Sequence, residues 1–153
     1  MTKEVLLTVS GLHQVFSAEQ EDVQNEPVKL VTPAAYYQKN GKHYVRYEEP
    51  VEGESEGIHS TIRLSGDGKV EVMRSGLSTS HMIFEKDTMH RCGYKTPYGE
   101  MTLGVFTNDM KVDVKASDIN VSIAYALEIN EEKAYDCHIE MNIKAKEKDR
   151  LPE

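Results

Sequence analysis

Residues 119–129 read INVSIAYALEI, and residues 135–145 read YDCHIEMNIKA. In both stretches apolar side chains alternate with polar or small ones. Because successive side chains of a β-strand point to opposite faces, each stretch predicts a strand with one buried and one solvent-facing side. The five residues between them, 130–134, are predicted to form the turn of a hairpin. This hairpin predicts an antiparallel sheet wrapped around an apolar interior, but it indicates no particular activity.

Short strand patterns separated by turn residues occupy most of the remaining chain. Asn40-Gly41 is a strong hairpin signal, since both residues tolerate the positive φ angles of a type I′ turn. A second glycine-bearing turn, at 65–68, separates two further strands. We find no helical periodicity over more than about two turns. We therefore predict an all-β protein with a single antiparallel, mostly up-and-down β-barrel of about eight to ten strands, because the connections are short and closure removes exposed edges.

The length and charge of the chain limit its class and its partners. The 153 residues fit one domain, which we predict to span residues 1–147, followed by a charged tail at 148–153. The formal net charge of −8 argues against nucleic acid and anionic lipid as partners, since both are bound through clustered Lys and Arg. No apolar run approaches the roughly 20 residues that cross a bilayer. The expected partners are therefore neutral, apolar or basic.

The start of the chain and its cysteines predict the compartment. Met1-Thr2-Lys3-Glu4 does not resemble a signal peptide, because no long apolar segment follows a charged start. Cys92 and Cys137 are too few for a disulfide framework, and both fall on strand patterns where a free Cys acts as a small apolar residue. We therefore expect a cytoplasmic protein.

Several short motifs carry a resemblance to a known family. In order along the chain they are YVRYEE (44–49), GIHSTI (57–62), MRSG (73–76), MIF (82–84), YKTPYG (94–99) and YAL (125–127). Together they resemble the YwiB-like family of small bacterial proteins, and the likeness runs from about Val28 to Ile143. The resemblance implies a lipocalin-like (calycin-type) β-barrel without an established activity.

Arg74 is the most informative polar residue on a predicted inner face, where it follows Val70 and Val72 at a period of two. An arginine there keeps its charge and needs a carboxylate, an aromatic ring or a bound anion. Glu49 falls in phase with the apolar positions of its own strand, so it could pair with Arg74 inside the barrel or at its rim. Alternatively, Arg74 faces a cavity and binds a carboxylate or phosphate of a ligand. A register slip would instead turn Arg74 outward.

Other inward polar or adaptable side chains complete the candidate site. The predicted ligand-binding residues are Tyr47, Glu49, Arg74, Met82, His90, Tyr94 and Thr96. Tyrosine suits a barrel mouth because its ring packs on apolar neighbours while its hydroxyl reaches a ligand. For Tyr47 and Tyr94 a structural role and a binding role are equally open, and for Met82 we favour core filling. For Tyr98 we favour a structural role in the turn at 96–99.

Motifs for metal binding and catalysis are weak. His90 and Cys92 share one face of a strand, but two ligands do not make a zinc site. The chain has no Gly-x-Ser-x-Gly elbow, phosphate-binding loop or dinucleotide fingerprint. Glu48 and Glu49 point to opposite faces of a regular strand, so they cannot form a two-carboxylate acid–base site. We predict no catalytic residues, no metal and no cofactor.

Three functions remain, in order of preference. The first is a barrel that binds a small, partly apolar ligand whose acidic group lies near Arg74, since about eight strands can enclose one small ligand. The second is an interaction or structural module with a filled interior, whose acidic loops at 17–26 and 50–57 meet a basic partner or whose edge forms a homodimer. The third is an enzyme that uses His90, Tyr94 or Glu49.

Overall fold

The protein is described by a computed structural model that covers residues 3–11, 29–50, 53, 55 and 57–145. These residues form ten β-strands. The strands are β1 (Lys3–Ser10), β2 (Lys29–Lys39), β3 (Lys42–Glu49), β4 (Ile58–Ser65), β5 (Lys69–Gly76), β6 (Ser80–Glu85), β7 (Met89–Thr96), β8 (Gly99–Val114), β9 (Asp118–Ile129) and β10 (Glu132–Ala145). The predicted boundary between 147 and 148 lies outside the described residues and stays a prediction.

The strands form one antiparallel sheet in the order β6-β5-β4-β3-β2-β1-β10-β9-β8-β7. Every ladder except that between β1 and β10 joins strands that are consecutive in the chain. The two edge strands, β6 and β7, approach one another at an antiparallel bridge between Thr79 and Lys95, while Lys86 bridges to Thr107 of β8. The sheet is therefore a nearly closed barrel. This confirms the predicted all-β, mostly up-and-down architecture and fits a lipocalin-like barrel.

Large apolar side chains fill the part of the interior that the described strands enclose. Those less than 2% exposed include Leu7, Tyr36, Ile62, Met82, Phe84, Leu103, Ile119, Ile123, Tyr125, Leu127 and Ile139. The rings of Phe84 on β6 and Tyr125 on β9 meet edge to face, with centroids 5.1 Å apart, and so connect these two strands across the interior. Burying such side chains contributes about 1.5–3 kcal/mol each to folding, so this core supplies the main driving force.

Two hairpins close through two-residue turns in which both residues have positive φ angles. Asn40 and Gly41 have φ angles of 53° and 77°, which confirms the predicted turn between β2 and β3. Asn130 and Glu131 have φ angles of 51° and 73° and join β9 to β10 in the same way. The predicted five-residue turn at 130–134 was therefore wrong. Its last residues belong to β10, where a bulge between Lys133 and Tyr135 restores the inward phase of the strand.

Candidate functional site

A row of polar side chains crosses the inner face of the barrel near one end. Tyr47 on β3 is directly opposite Ser60 on β4, Ser60 is opposite Arg74 on β5, and Arg74 is opposite Ser80 on β6. All four residues are 5% exposed or less. Together with Glu49, one inward position further along β3, they form what we call the polar end of the barrel.

Glu49 joins two members of this row. Its Oε1 accepts a hydrogen bond from Arg74 Nη2 at 3.3 Å and another from Ser60 Oγ at 3.3 Å. The side chains of Arg74 and Glu49 are 4% and 11% exposed, so the ion pair is almost entirely shielded from water. Arg74 is therefore paired with Glu49 inside the barrel, as the first of the interpretations of Arg74 predicted. The register of β5 also excludes an outward Arg74.

The hydroxyl groups beside this ion pair are less well satisfied. The Tyr47 hydroxyl and the hydroxyls of Ser78 and Ser80 are buried and form no hydrogen bond within the described part of the chain. Burial raises the pKa of Tyr47 to about 12, and the Glu49 carboxylate adds to the increase. The Tyr47 phenol therefore stays protonated at neutral pH and presents a hydrogen-bond donor to the interior.

Two glycines allow the chain to close tightly over this end. Gly76 ends β5 with a φ of +99°, and a Cβ there would lie 2.6 Å from the carbonyl oxygen of Gly57. A Cβ on Gly57 would in turn lie 2.5 Å from the carbonyl oxygen of Glu49. Leu77 donates a backbone hydrogen bond to that Gly57 carbonyl at 3.0 Å. The segments beside Glu49 and Arg74 thus pack backbone to backbone, which only glycine permits.

The candidate residues of β7 divide between the two ends of the barrel. Lys95 exchanges two backbone hydrogen bonds with Thr79, of 2.9 and 3.0 Å, and this places the preceding Tyr94 near Ser80 and the polar end. His90 lies four residues away, or about 13 Å along the strand. Its Nε2 is 2.9 Å from Glu85 Oε1 at the far end of β6. His90 therefore does not belong to the cluster around Arg74.

Met82 and Thr96 have structural positions. Met82 is 1% exposed and lies in the middle of the core, as the preferred interpretation predicted. The Thr96 hydroxyl donates to the Gly99 carbonyl and accepts from the Tyr98 N–H, both at 3.1 Å. Thr96 thus holds the β7–β8 turn. The structural role favoured for Tyr98 was wrong, because its side chain is in water, 95% exposed.

Three buried serines were missing from the sequence-based candidates: Ser60 and Ser80 of the polar end, and Ser78, which precedes β6. Two of them carried a usable signal. Ser60 is in phase with the inward residues Ile62 and Leu64, and Ser80 is in phase with Met82 and Phe84. An inward serine is a weaker sequence signal for a binding site than an inward arginine. Ser78 lies between strands, so alternation could not have found it.

Elsewhere in the described structure, side chains of the types used in catalysis do not have the geometry of a catalytic site. On the outer face of the final hairpin, Ser122 Oγ lies 3.4 Å from His138 Nε2, and the same nitrogen contacts Glu140. A catalytic triad needs the acid on one ring nitrogen and the nucleophile on the other, so this is not one. Burial raises the pKa of Cys92, and raises that of Cys137 to about 11, so both thiols stay protonated. Neither cysteine is in a disulfide.

Two further features concern metals and membranes. Within the described ranges, no three His, Cys, Asp or Glu side chains are grouped so as to hold a metal ion. His90 and Cys92 therefore gain no third ligand there. The described residues also contain no helix that is long and apolar enough to span a bilayer.

Comparison with known proteins agrees with this architecture. A family model described as a domain of unknown function, DUF1934, matches residues 13–141. The "Uncharacterized beta-barrel protein YwiB" of Bacillus subtilis (strain 168) is 28% identical over 121 residues, which cover 79% of this chain and 83% of that protein. The crystal structure of the ywiB protein from Bacillus subtilis aligns with a TM-score of 0.76 at 21% identity, covering 95% of this chain and 94% of the other. These matches confirm the resemblance drawn from the motifs, and the structural match confirms the fold.

Proposed function

The chain belongs to the DUF1934 family of β-barrel domains, and we propose that it binds a small, partly apolar ligand at the polar end of the barrel. The site comprises Tyr47, Glu49, Ser60, Arg74 and Ser80, with Tyr94 at its margin. Apolar side chains of the core lie directly beneath this row. A ligand there would place a hydrogen-bonding head against the hydroxyl groups and a short apolar body toward the core.

The observation that carries the proposal is the buried hydroxyl of Tyr47. Tyr47 is 4% exposed, and although the Ser60 hydroxyl lies beside it, the Tyr47 hydroxyl makes no hydrogen bond of good geometry in the described part of the chain. The buried hydroxyls of Ser78 and Ser80 also lack a hydrogen bond there. Leaving a buried polar group without a partner costs about 1–3 kcal/mol, and most buried polar groups are therefore satisfied. A polar head of a ligand would satisfy several of these groups at once.

The Arg74–Glu49 contact bears on the chemistry of that head. An acidic group, as proposed from the sequence, would have to displace Glu49 from Arg74 or accept its repulsion. An uncharged head with a carbonyl or hydroxyl oxygen would accept a hydrogen bond from Tyr47 and leave the ion pair in place. The geometry thus favours an uncharged, hydrogen-bonding head. Replacing Glu49 by Gln distinguishes the two, because it would tighten binding only of an acidic ligand.

Native mass spectrometry of freshly purified protein, followed by a thermal-shift panel of fatty acids, fatty amides and fatty alcohols, tests the proposal. We expect a stabilising compound, whose effect is lost in Tyr47→Phe and kept in Tyr125→Phe. Tyr125 is the matched control, since its hydroxyl is also buried and, although the Cys137 thiol lies beside it, makes no hydrogen bond of good geometry in the described part of the chain. A bare protein mass with no thermal shift, or equal binding by both variants, would overturn the proposal.

A second candidate is an interaction module, favoured by the filled core and by apolar side chains on the outside. Leu6 and Val31, 43% and 54% exposed, lie on neighbouring strands β1 and β2. Loop 17–26 and half of loop 50–57 are outside the described residues, so their contact with a basic partner or a second copy stays a prediction. Reversing the charges of both loops without losing any co-purifying partner would argue against it. Both candidates suit a cytoplasmic protein, in keeping with the two free cysteines.

A further inference from the structure

A groove crosses the outer face of the barrel, on the other side of the same wall. Its floor follows one row of outward side chains that are directly opposite one another from β1 to β5. In order these are Glu4, Ala35, Arg46, Thr61 and Met73. The small side chains of Ala35 and Thr61 lie on either side of the long Arg46. This alternation of short and long side chains produces the concave surface.

The groove consists of two clefts that share Ala35, Arg46, Tyr47 and Glu48. One has a volume of about 480 Å³ and continues past His59 to Met73 and Ser75. The other has a volume of about 570 Å³ and continues to Lys3, Thr32 and Pro33. Tyr47, Ser60 and Arg74, whose side chains are buried, also border the first cleft, and Tyr47 borders the second as well. Each cleft has the size of a typical small-molecule site.

Arg46 differs from the other arginines in having no carboxylate partner among the described residues. Arg63 pairs with Glu71, Arg74 pairs with Glu49, and Arg91 pairs with Glu128. The fifth arginine of the sequence, Arg150, lies outside the described part. The structure shows no hydrogen bond or ion pair from Arg46 to a described residue.

The carboxylate nearest to Arg46 in sequence has a partner of its own. Glu48 Oε2 is 3.6 Å from His59 Nδ1. Among the described residues, neither Glu48 nor any other carboxylate pairs with the exposed guanidinium of Arg46, which lines both clefts. This is notable in a chain of net charge −8, in which acidic residues outnumber Lys and Arg by 26 to 18. A guanidinium presents paired N–H donors whose spacing matches a carboxylate or a phosphate.

We propose that this groove binds a small organic anion, with its carboxylate or phosphate group on Arg46 and its apolar body against Ala35 and Met73. The site is distinct from the polar end of the barrel, and neither proposal depends on the other. Pairing with Arg46 would supply the charge-assisted hydrogen bonds. The half-buried Met73 can adapt its side chain to the apolar body of the ligand.

A titration followed by two-dimensional amide NMR tests this inference with three probes: benzoate, phenyl phosphate and uncharged benzamide. We expect benzoate, phenyl phosphate or both to shift the amide signals of residues 35, 46, 61 and 73, whereas benzamide leaves them in place. The stronger of the two anions identifies the head group. Because a hydrogen bond to a charged group contributes about 1.5–3 kcal/mol, Arg46→Gln should weaken binding by about tenfold or more.

Two variants serve as controls. Arg91→Gln removes an exposed arginine from β7 and should leave the affinity unchanged. Lys115→Gln removes another exposed cation, from the loop between β8 and β9, and should also leave the affinity unchanged. The inference is overturned if neither anion shifts these signals at millimolar concentration, if benzamide shifts them equally, or if Arg46→Gln binds as the unaltered protein does.

Discussion

Arg74 Nη2 and Glu49 Oε1 lie 3.3 Å apart inside the barrel, although 25 residues separate them in the sequence. β4 lies between their strands in the sheet, and Ser60 of β4 donates to the same carboxylate oxygen. The pair thus links three strands at one end of the barrel. Because both side chains are almost fully buried, each compensates part of the cost of burying the other's charge.

We expect Arg74→Met to lower the free energy of unfolding by about 3 kcal/mol, because it leaves a buried carboxylate without its cation. Adding Glu49→Leu should restore most of that loss. Urea denaturation at pH 7 measures both values. As a control, Arg91→Met removes a partly exposed ion pair with Glu128 and should cost less than about 1 kcal/mol. A double variant no more stable than the single one would contradict the expectation.

Alkaline titration should reveal the burial of Tyr47. Its pKa is about 12 in the folded protein and about 10 in an unfolded chain, so the folded state holds the proton over that interval. The free energy of unfolding should therefore fall as the pH rises from about 10 to 12, and this group contributes roughly 2–3 kcal/mol to the fall. Tyr47→Phe should make the decline shallower. An unchanged slope in that variant would show that the phenol is not buried.

Acid should weaken the protein through an ionic cluster on the outer face. Glu71 accepts from Arg63 Nε at 2.8 Å and from His81 Nε2 at 2.7 Å. Burial alone would raise the pKa of Glu71, but these hydrogen bonds hold it below its ordinary value. A depressed carboxyl pKa adds stability above about pH 4.3, and that stability is lost as the pH falls through the folded value.

Glu71→Gln should therefore lower stability at pH 7 and make the decline below about pH 4 less steep than in the unaltered protein. Urea denaturation at a series of pH values gives both quantities. The exposed Glu100, replaced by Gln, serves as the matched control and should change neither. Parallel stability curves for Glu71→Gln and the unaltered protein would contradict the role given to this cluster.

Gly76→Ala should destabilise the protein by about 2 kcal/mol, because the position has a φ of +99° and a Cβ would lie 2.6 Å from the Gly57 carbonyl oxygen. Gly66→Ala is the comparison. At Gly66 no atom lies within 4 Å of the added Cβ, so the change should have little effect. Thermal unfolding of the two variants compares them directly. Equal melting temperatures would show that the backbone near Glu49 and Arg74 packs less closely than described.

Comparison of the two type I′ turns, at 40–41 and 130–131, predicts a stabilising substitution. Glu131 has a φ of 73°, an angle that costs a side-chain-bearing residue about 1 kcal/mol relative to glycine. Glu131→Gly should therefore raise the free energy of unfolding by about that amount. Gly41→Glu in the equivalent turn should lower it by a similar amount, since the space around Gly41 is open. Changes of the same sign in both variants would contradict this account.

Alternation of side chains predicted much of this architecture. Arg74 follows Val70 and Val72 on the inward phase of its strand, and Glu49 follows Val45 and Tyr47 on another. Since a period of two assigns each residue to a face, the Arg74–Glu49 pair could be proposed before the structure. The Asn-Glu turn at 130–131 was missed because glutamate at positive φ is uncommon, whereas Asn40-Gly41 carries the usual signal.

The position of a residue along the barrel was harder to predict than the face of the sheet on which its side chain lies. His90 and Tyr94 share a face of β7, but four residues of extended chain carry them to different ends of the barrel. Nor does alternation show which edge strands approach each other, because the Thr79–Lys95 bridge joins segments whose pairing depends on the curvature of the whole sheet. Nor could the sequence show that the Tyr47 hydroxyl lacks a well-placed partner among the described residues, because that depends on distances in the folded structure.

The pairing of β1 with β10 has a consequence for the assembly of the barrel during synthesis. Every other ladder joins strands that leave the ribosome one after another, so the first six strands can form a meander early. Val5, however, pairs with Ala145, close to the end of the described chain. Until that last strand emerges, β1 is an edge with unpaired backbone groups, and β10 has to find it across the whole length of the chain. The sheet therefore stays open until β10 has been made, and it becomes a barrel only when β10 pairs with β1.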